Sequence, residues 1–195
     1  MTDPAGRVAA IFDEHLATAQ RTRDGLLSVV EELGADVCAA LGRGGKLVTF
    51  GNGGSAADAQ HFAAELTGHF VLDRGPLPAV ALTVDTSALT AIGNDYSYAD
   101  VFARQATALC GPDDLVVAIS TSGKAESVIR GARAAADRGA RVWALTGGTG
   151  GGLKDATHRA LIVPSSETAR IQEMHITVIH AVCALIDDWV AARDG

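Results

Sequence analysis

Val48-Thr49-Phe50-Gly51-Asn52-Gly53-Gly54-Ser55-Ala56-Ala57-Asp58-Ala59-Gln60-His61-Phe62-Ala63-Ala64-Glu65 decides how the rest of the chain is read. An apolar run passes through a glycine turn into a helical pattern that opens at Ser55, the strand–turn–helix unit of an α/β protein. His61 and Glu65 are four residues apart, about one helical turn, so they share a face. This short segment supplies an anion-binding turn and a pair of groups able to move protons or hold a metal.

Outward from it, apolar runs alternate with helical patterns. Residues 5–41 read as helical, with Val8, Ile11, Phe12 and Leu16, then Leu26, Leu27, Val30, Leu33 and Val37 at helical spacing, and a break expected at Arg21 to Asp24. Strands are expected at Leu47 to Phe50, Ala79 to Val84, Leu115 to Ile119, Arg141 to Leu145 and Ala160 to Val163. Helices should follow from Ser55, from Ser87 to Leu109 with an interruption at Gly93-Asn94-Asp95, from Ala125 to Arg138, briefly near Gly152 to Ala156, and from Thr168 to Ala192.

Strands that are apolar throughout and alternate with helices indicate a parallel sheet covered on both faces. The expected fold is a three-layer α/β/α sandwich with five parallel strands, flavodoxin-like, formed as a single domain over residues 1–195. Ligands in such folds bind beyond the carboxyl ends of the strands. The loops there are Gly51 to Ser55, Asp85 to Ser87, Ser120 to Lys124 and Thr146 to Gly151, the last running into a glycine-rich stretch expected to be mobile.

Composition narrows the function. Of the 195 residues, 48% are apolar and 20% charged, as in a folded globular protein. A net charge of -7 and the absence of any basic run argue against nucleic-acid binding. No apolar run reaches membrane-spanning length in this reading, and Met1-Thr2-Asp3-Pro4 does not begin a secretory signal, so a cytoplasmic location is expected. Cys38, Cys110 and Cys183 are far apart, without metal-like spacing, and read as reduced core or interface residues.

Two loops have phosphate chemistry. Ser120-Thr121-Ser122-Gly123 follows an apolar strand and precedes a helix, bringing three hydroxyls and free N–H groups to a helix N-terminus. Ser55 is placed alike after Gly51-Asn52-Gly53-Gly54. Either loop alone is as easily ordinary strand-to-helix punctuation; two together favour an anion. Neither matches a nucleotide fingerprint. His61 and Glu65 read either as a surface or core polar pair, or as a base and its partner, since burial raises a glutamate pKa toward that of a general base. In the last helix Gln172, His175 and His180 interrupt an otherwise apolar surface that suits packing on both the sheet and another subunit.

At these residues the chain resembles a known family. Gly51 to Leu66, Thr90-Ala91-Ile92-Gly93-Asn94-Asp95, Ala118 to Gly123 and Arg170-Ile171-Gln172-Glu173-Met174-His175 are similar to the phosphoheptose isomerases of the sugar-isomerase (SIS) superfamily, over nearly the whole chain. The resemblance implies conversion of D-sedoheptulose 7-phosphate to D-glycero-D-manno-heptose 7-phosphate, the first step toward nucleotide-activated heptose. It implies a homotetramer with residues 1–45 used in assembly and with active sites between subunits. Glu65 corresponds to the family's general base and His180 to its acid partner; His61, Glu65, Gln172 and His180 correspond to zinc ligands. Asn52, Gly53, Gly54, Ser55, Glu65, Asn94, Asp95, Ser120, Thr121, Ser122, Lys124 and Gln172 fall at substrate-binding positions.

Two points stand apart from the pattern. Gln172 and His180 are eight residues apart, about 12 Å along one helix, so one metal reaches both only if the side chains lean together or come from different subunits. Lys124-Ala125 stands where the family usually has Asn-Ser, so Lys124 either replaces a hydroxyl contact with a charge or points into solvent. A non-catalytic relative that associates with a replication initiator shares the Arg170 to His175 stretch; its kind lacks the residues corresponding to Glu65 and His180, and both are present here. A sugar-phosphate-sensing regulator is the other alternative.

Overall fold

A computed structural model describes residues 3–194 of the chain. Five strands form one sheet: β1 (Leu47–Gly51), β2 (Ala79–Ala81), β3 (Leu115–Ile119), β4 (Arg141–Gly147) and β5 (Arg159–Val163). All neighbours are parallel, in the order β2-β1-β3-β4-β5. The helices are α1 (Pro4–Gly42), α2 (Gly54–Thr67), α3 (Thr86–Asp95), α4 (Val101–Leu109), α5 (Glu126–Asp137) and α6 (Thr168–Asp194).

Strand alternation divides the core in two. Leu47, Leu115, Val117, Ile119, Trp143 and Leu145 face α1, α2 and α6. Val48, Phe50, Val116, Ala118, Val142 and Ala144 face α4 and α5. Both faces are covered, which is why β1 and β3 are buried at every position. The expected three-layer α/β/α architecture is the observed one. Its strand order reverses between β1 and β3, which places a crevice beyond their carboxyl ends.

Four local expectations are corrected. No break interrupts α1 at Arg21 to Asp24: Arg21 bonds Glu14 and Thr18, Gln20 bonds Asp24, and Thr22 is buried, so the segment remains helical. The second strand ends at Ala81, and Val84 is exposed. Gly93-Asn94-Asp95 ends α3 instead of interrupting it, and the chain turns at Tyr96-Ser97 before a 3₁₀ turn at Tyr98–Asp100. The glycine run is fixed by backbone: the Leu153 N–H donates to Gly123 O at 3.0 Å, and a Cβ on Gly151 would lie 2.4 Å from Gly123 O. These glycines let two loops touch main chain to main chain.

By length and composition α6 is apolar enough to cross a membrane, contrary to the absence expected from the sequence. It is half buried in the fold, packed on the sheet and α1 through Ile171, Met174, Val178, Ile179, Val182 and Ile186, and so serves as a core helix.

Candidate active site

At the end of β1, Gly51 is hemmed in by Ile119 O and Ser55, where a Cβ would approach to 2.7 and 2.8 Å. The chain then turns through Gly53, whose φ of +54° suits glycine. Gly53 caps α2 with no side-chain hydrogen bond, and its carbonyl accepts the Ala56 N–H at 3.0 Å. Ser55 is buried in this turn; Gly53 and Gly54 are exposed.

The loop after β3 is built differently. Ser120 is buried, and its Oγ accepts the Gly123 N–H at 3.2 Å, folding the loop on itself. Thr121 is half-buried, while Ser122 and Lys124 are exposed. Asn94 and Asp95 are exposed at the end of α3, where Asn94 Nδ2 donates to Asp95 Oδ1 at 2.8 Å. Tyr98, from the following turn, donates its hydroxyl to Asn52 Oδ1 at 2.9 Å.

The α2–α6 interface carries the ionisable groups. His61 Nε2 lies 3.0 Å from Glu65 Oε1 and 2.9 Å from His180 Nε2. The three donor atoms fall within 4.8 Å of one another, all in one protomer. The Glu65 side chain is 18% exposed and that of His61 41%, so the cluster is sheltered yet reachable. Phe70 stacks on the His180 ring at 5.6 Å between centroids. Behind it, buried Arg74 donates to Glu65 O and Leu66 O, capping the carboxyl end of α2, and pairs with Asp187 of α6 at 2.9 Å. Burial raises the pKa of Asp187, but the Leu72 N–H, Arg74 and the Val71 N–H outweigh it and hold the carboxyl below its ordinary value.

Gln172 is not brought to this cluster in the same protomer. Its amide lies against Gly54, where a Cβ would meet Nε2 at 2.3 Å, beside buried Asp58. Asp58 is buried, burial holds its pKa above the ordinary carboxylate value against the smaller opposing pulls of Gln172 and His61, and its Oδ2 has no partner among the described residues. His175 is no part of the cluster either. It is buried on the far side of α6, donates from Nε2 to Thr146 O at 3.2 Å, and has its pKa pushed down to about 4 by burial.

Sequence reasoning singled out neither Asp58, Phe70, Arg74, Tyr98 nor Ser127. Asp58 alone had a signal, a carboxylate three residues before His61 on an otherwise small-residue helix.

Fold and site define a SIS-type sugar-phosphate protein, and the comparisons agree. The SIS domain family matches residues 12–147. A phosphoheptose isomerase from Aquifex aeolicus is 54% identical over 157 residues, 80% of this chain and 82% of that protein. The structure of a phosphoheptose isomerase from Neisseria gonorrhoeae superposes with a TM-score of 0.89 at 47% identity, covering 95% of this chain and all of that one. One from Francisella tularensis gives 0.93 at 36% identity, covering 96% and 100%. The chain belongs to the phosphoheptose isomerase family of SIS-domain proteins.

Proposed function

We propose that this enzyme, an isomerase by family, converts D-sedoheptulose 7-phosphate to D-glycero-D-manno-heptose 7-phosphate, the first step toward nucleotide-activated heptose. The observation that carries the reading is the convergence of Glu65, His61 and His180 on the α2–α6 interface, with His61 at hydrogen-bond distance from both of the others. Ketose-to-aldose isomerisation removes a proton from C1, passes through an enediol and returns a proton to C2. Glu65 is the base at carbon. His180 is the acid partner that serves the oxygens, its Nε2 held 2.9 Å from His61 Nε2. Ser120, Thr121, Ser122 and the first turn of α2 hold the phosphate end, with Asn52, Gly53, Gly54, Ser55, Asn94, Asp95, Lys124 and Gln172 completing the substrate contacts.

The cluster also suits zinc. Its donors are two imidazole nitrogens and a carboxylate oxygen, a common zinc set, and a tetrahedral ion with ligands at about 2.0–2.1 Å needs donors about 3.3 Å apart. The observed 2.9–3.0 Å needs only a small opening. His61, Glu65 and His180 would hold the ion, with Gln172 joining by swinging away from Asp58 or from another protomer. When bound, the metal supplies polarisation of the carbonyl and stabilisation of negative charge on the enediol oxygens.

Assembly as a homotetramer through residues 1–45 is supported by an apolar stripe on α1, where Phe12 and Leu16 are 65% and 64% exposed. A groove of about 440 Å³ between α1 and α6, lined by Leu16, Leu26, Val30, Met174 and Val178, continues it. The proposed location is the cytoplasm, without nucleic-acid or membrane partners.

Incubating the purified chain with sedoheptulose 7-phosphate and following aldose formation by NMR tests the reading. Appearance of the aldose is expected; an unchanged ketose with metal-loaded protein overturns it.

A further inference from the structure

The crevice between β1 and β3 works only if the loops on its two sides stay a fixed distance apart. At the bottom the spacing is set by backbone, through the contact of Gly51 with Ile119. Above that it is set by a side chain. Asn52 Nδ2 donates to Ser127 Oγ at 2.9 Å, and Ser127 is buried in the first turn of α5, the helix that the Ser120 to Gly123 loop leads into. The other end of the same amide accepts the Tyr98 hydroxyl at 2.9 Å. Both partners are hydroxyls, which donate and accept, so the amide is held at its two ends by two distant segments.

Three ligand-bearing segments therefore meet at one amide: the turn after β1, the helix after the β3 loop, and the segment whose preceding residues are Asn94 and Asp95. The partners are 46 and 75 residues from Asn52 in sequence, so nothing local holds them together. Tyr98 is 61% exposed, at the open side of the crevice, whereas Ser127 is 4% exposed at its inner wall.

The geometry points to Tyr98 and Ser127 as positioning residues for the isomerase, acting through Asn52 as a brace that sets the width of the sugar-phosphate crevice. The side chain of Asn52 spans the loops and meets the sugar from that fixed position. The brace rests on the sugar-phosphate reading of the crevice. It acts on binding, because Tyr98 and Ser127 make no contact with His61, Glu65 or His180.

Steady-state kinetics with sedoheptulose 7-phosphate, and competitive inhibition by inorganic phosphate, test it in Tyr98→Phe, Ser127→Ala, Ser127→Thr and the Tyr98→Phe/Ser127→Ala double variant. Tyr98→Phe deletes one exposed hydroxyl and is expected to raise KM by about two- to tenfold, the range of one hydrogen bond. Its kcat should stay within about twofold and its thermal midpoint should not move. Ser127→Ala leaves the inner end of the amide unpaired and should raise KM further, by about tenfold or more; Ser127→Thr, which keeps the hydroxyl, should recover most of that loss. Because both act through one amide, the double variant should lose less than the product of the single losses. The inhibition constant of phosphate should rise with KM.

A Tyr98→Phe enzyme with unchanged KM and phosphate inhibition overturns the brace while leaving the isomerase reading intact. So does a loss confined to kcat, or single losses that multiply in full. A wild-type enzyme that neither turns over the ketose nor is inhibited by phosphate overturns the site reading itself, and the brace with it. Tyr98→Phe alters only the surface, so the test survives if Ser127→Ala fails to fold.

Discussion

The two ends of the α2–α6 interface are built from the same kinds of residue and do opposite things. At the carboxyl end of α2, His61, Glu65 and His180 meet with side chains partly open to solvent. At its amino end, Gln172 is pressed on Gly54 beside buried Asp58. The difference lies in what surrounds each polar group. Phe70 stacks on one side of His180 and leaves its Nε2 for His61, whereas Gly54 and Asp58 together fill the space around the Gln172 amide. One end is set up to exchange protons or hold a cation; the other holds one amide in a close-fitting notch.

Removing the carboxylate tests the open end most severely. Glu65→Gln keeps shape and should lower kcat by about 10²–10⁴-fold, the contribution of a positioned general base. Circular dichroism and oligomeric state should be unchanged, and near-normal turnover would remove Glu65 as the base. Chelation sharpens the same end: turnover that falls with metal content and returns with added zinc supports the ion, and full activity in protein shown to be metal-free excludes it.

The closed end is broken with a single methyl. A Cβ at Gly54 would sit 2.3 Å from Gln172 Nε2. Gly54→Ala should push the amide aside, raising KM and lowering thermal stability by about 1 kcal/mol, the low end for overpacked sites because the end of a flexible side chain can give way. A variant as stable and as active as wild type would show that this notch is not tight.

His175, buried beneath the interface, gives a pH test. Its pKa is about 4 in the fold against an ordinary 6.5, so the unfolded chain takes up the proton first as pH falls. Its contribution to stability is intact above about pH 6.5, declines from there to about pH 4, and does not change below. Urea midpoints should drop between pH 7 and pH 5, and His175→Gln should flatten that slope although its stability is lower throughout.

The smallest effect is expected in the β3 loop. Ser122 is exposed, and its Oγ accepts only the Lys124 N–H at 3.3 Å. Ser122→Ala should raise KM a fewfold with kcat unchanged, the signature of binding that is equal in ground and transition states.

What the sequence disclosed follows from the range of each interaction. The strands were legible because a sheet covered on both faces requires unbroken apolar runs, and Val116-Val117-Ala118-Ile119 is one. His61 and Glu65 were legible because helical spacing alone puts them together. Other features depend on partners far along the chain. Arg74 meets Asp187 across 113 residues, and Tyr98 meets Asn52 across 46, with no local pattern to announce either. The end of α3 was misplaced because Gly93 suggested a break, yet it has an ordinary negative φ and continues the helix. The distance from Gln172 to His180 was anticipated from eight residues of helix; that Asp58 and Gly54 take up the amide was not.

The central claim is that α2 and α6 of one protomer deliver Glu65 and His180 to the same sugar. Co-expressing Glu65→Gln and His180→Gln chains under two different tags, and purifying through both, isolates assemblies that contain each. The account predicts that these mixed assemblies are as inactive as either parent, since every site lacks one of the two groups. Recovery of a substantial fraction of wild-type turnover would mean that the groups act from different protomers, and would contradict it.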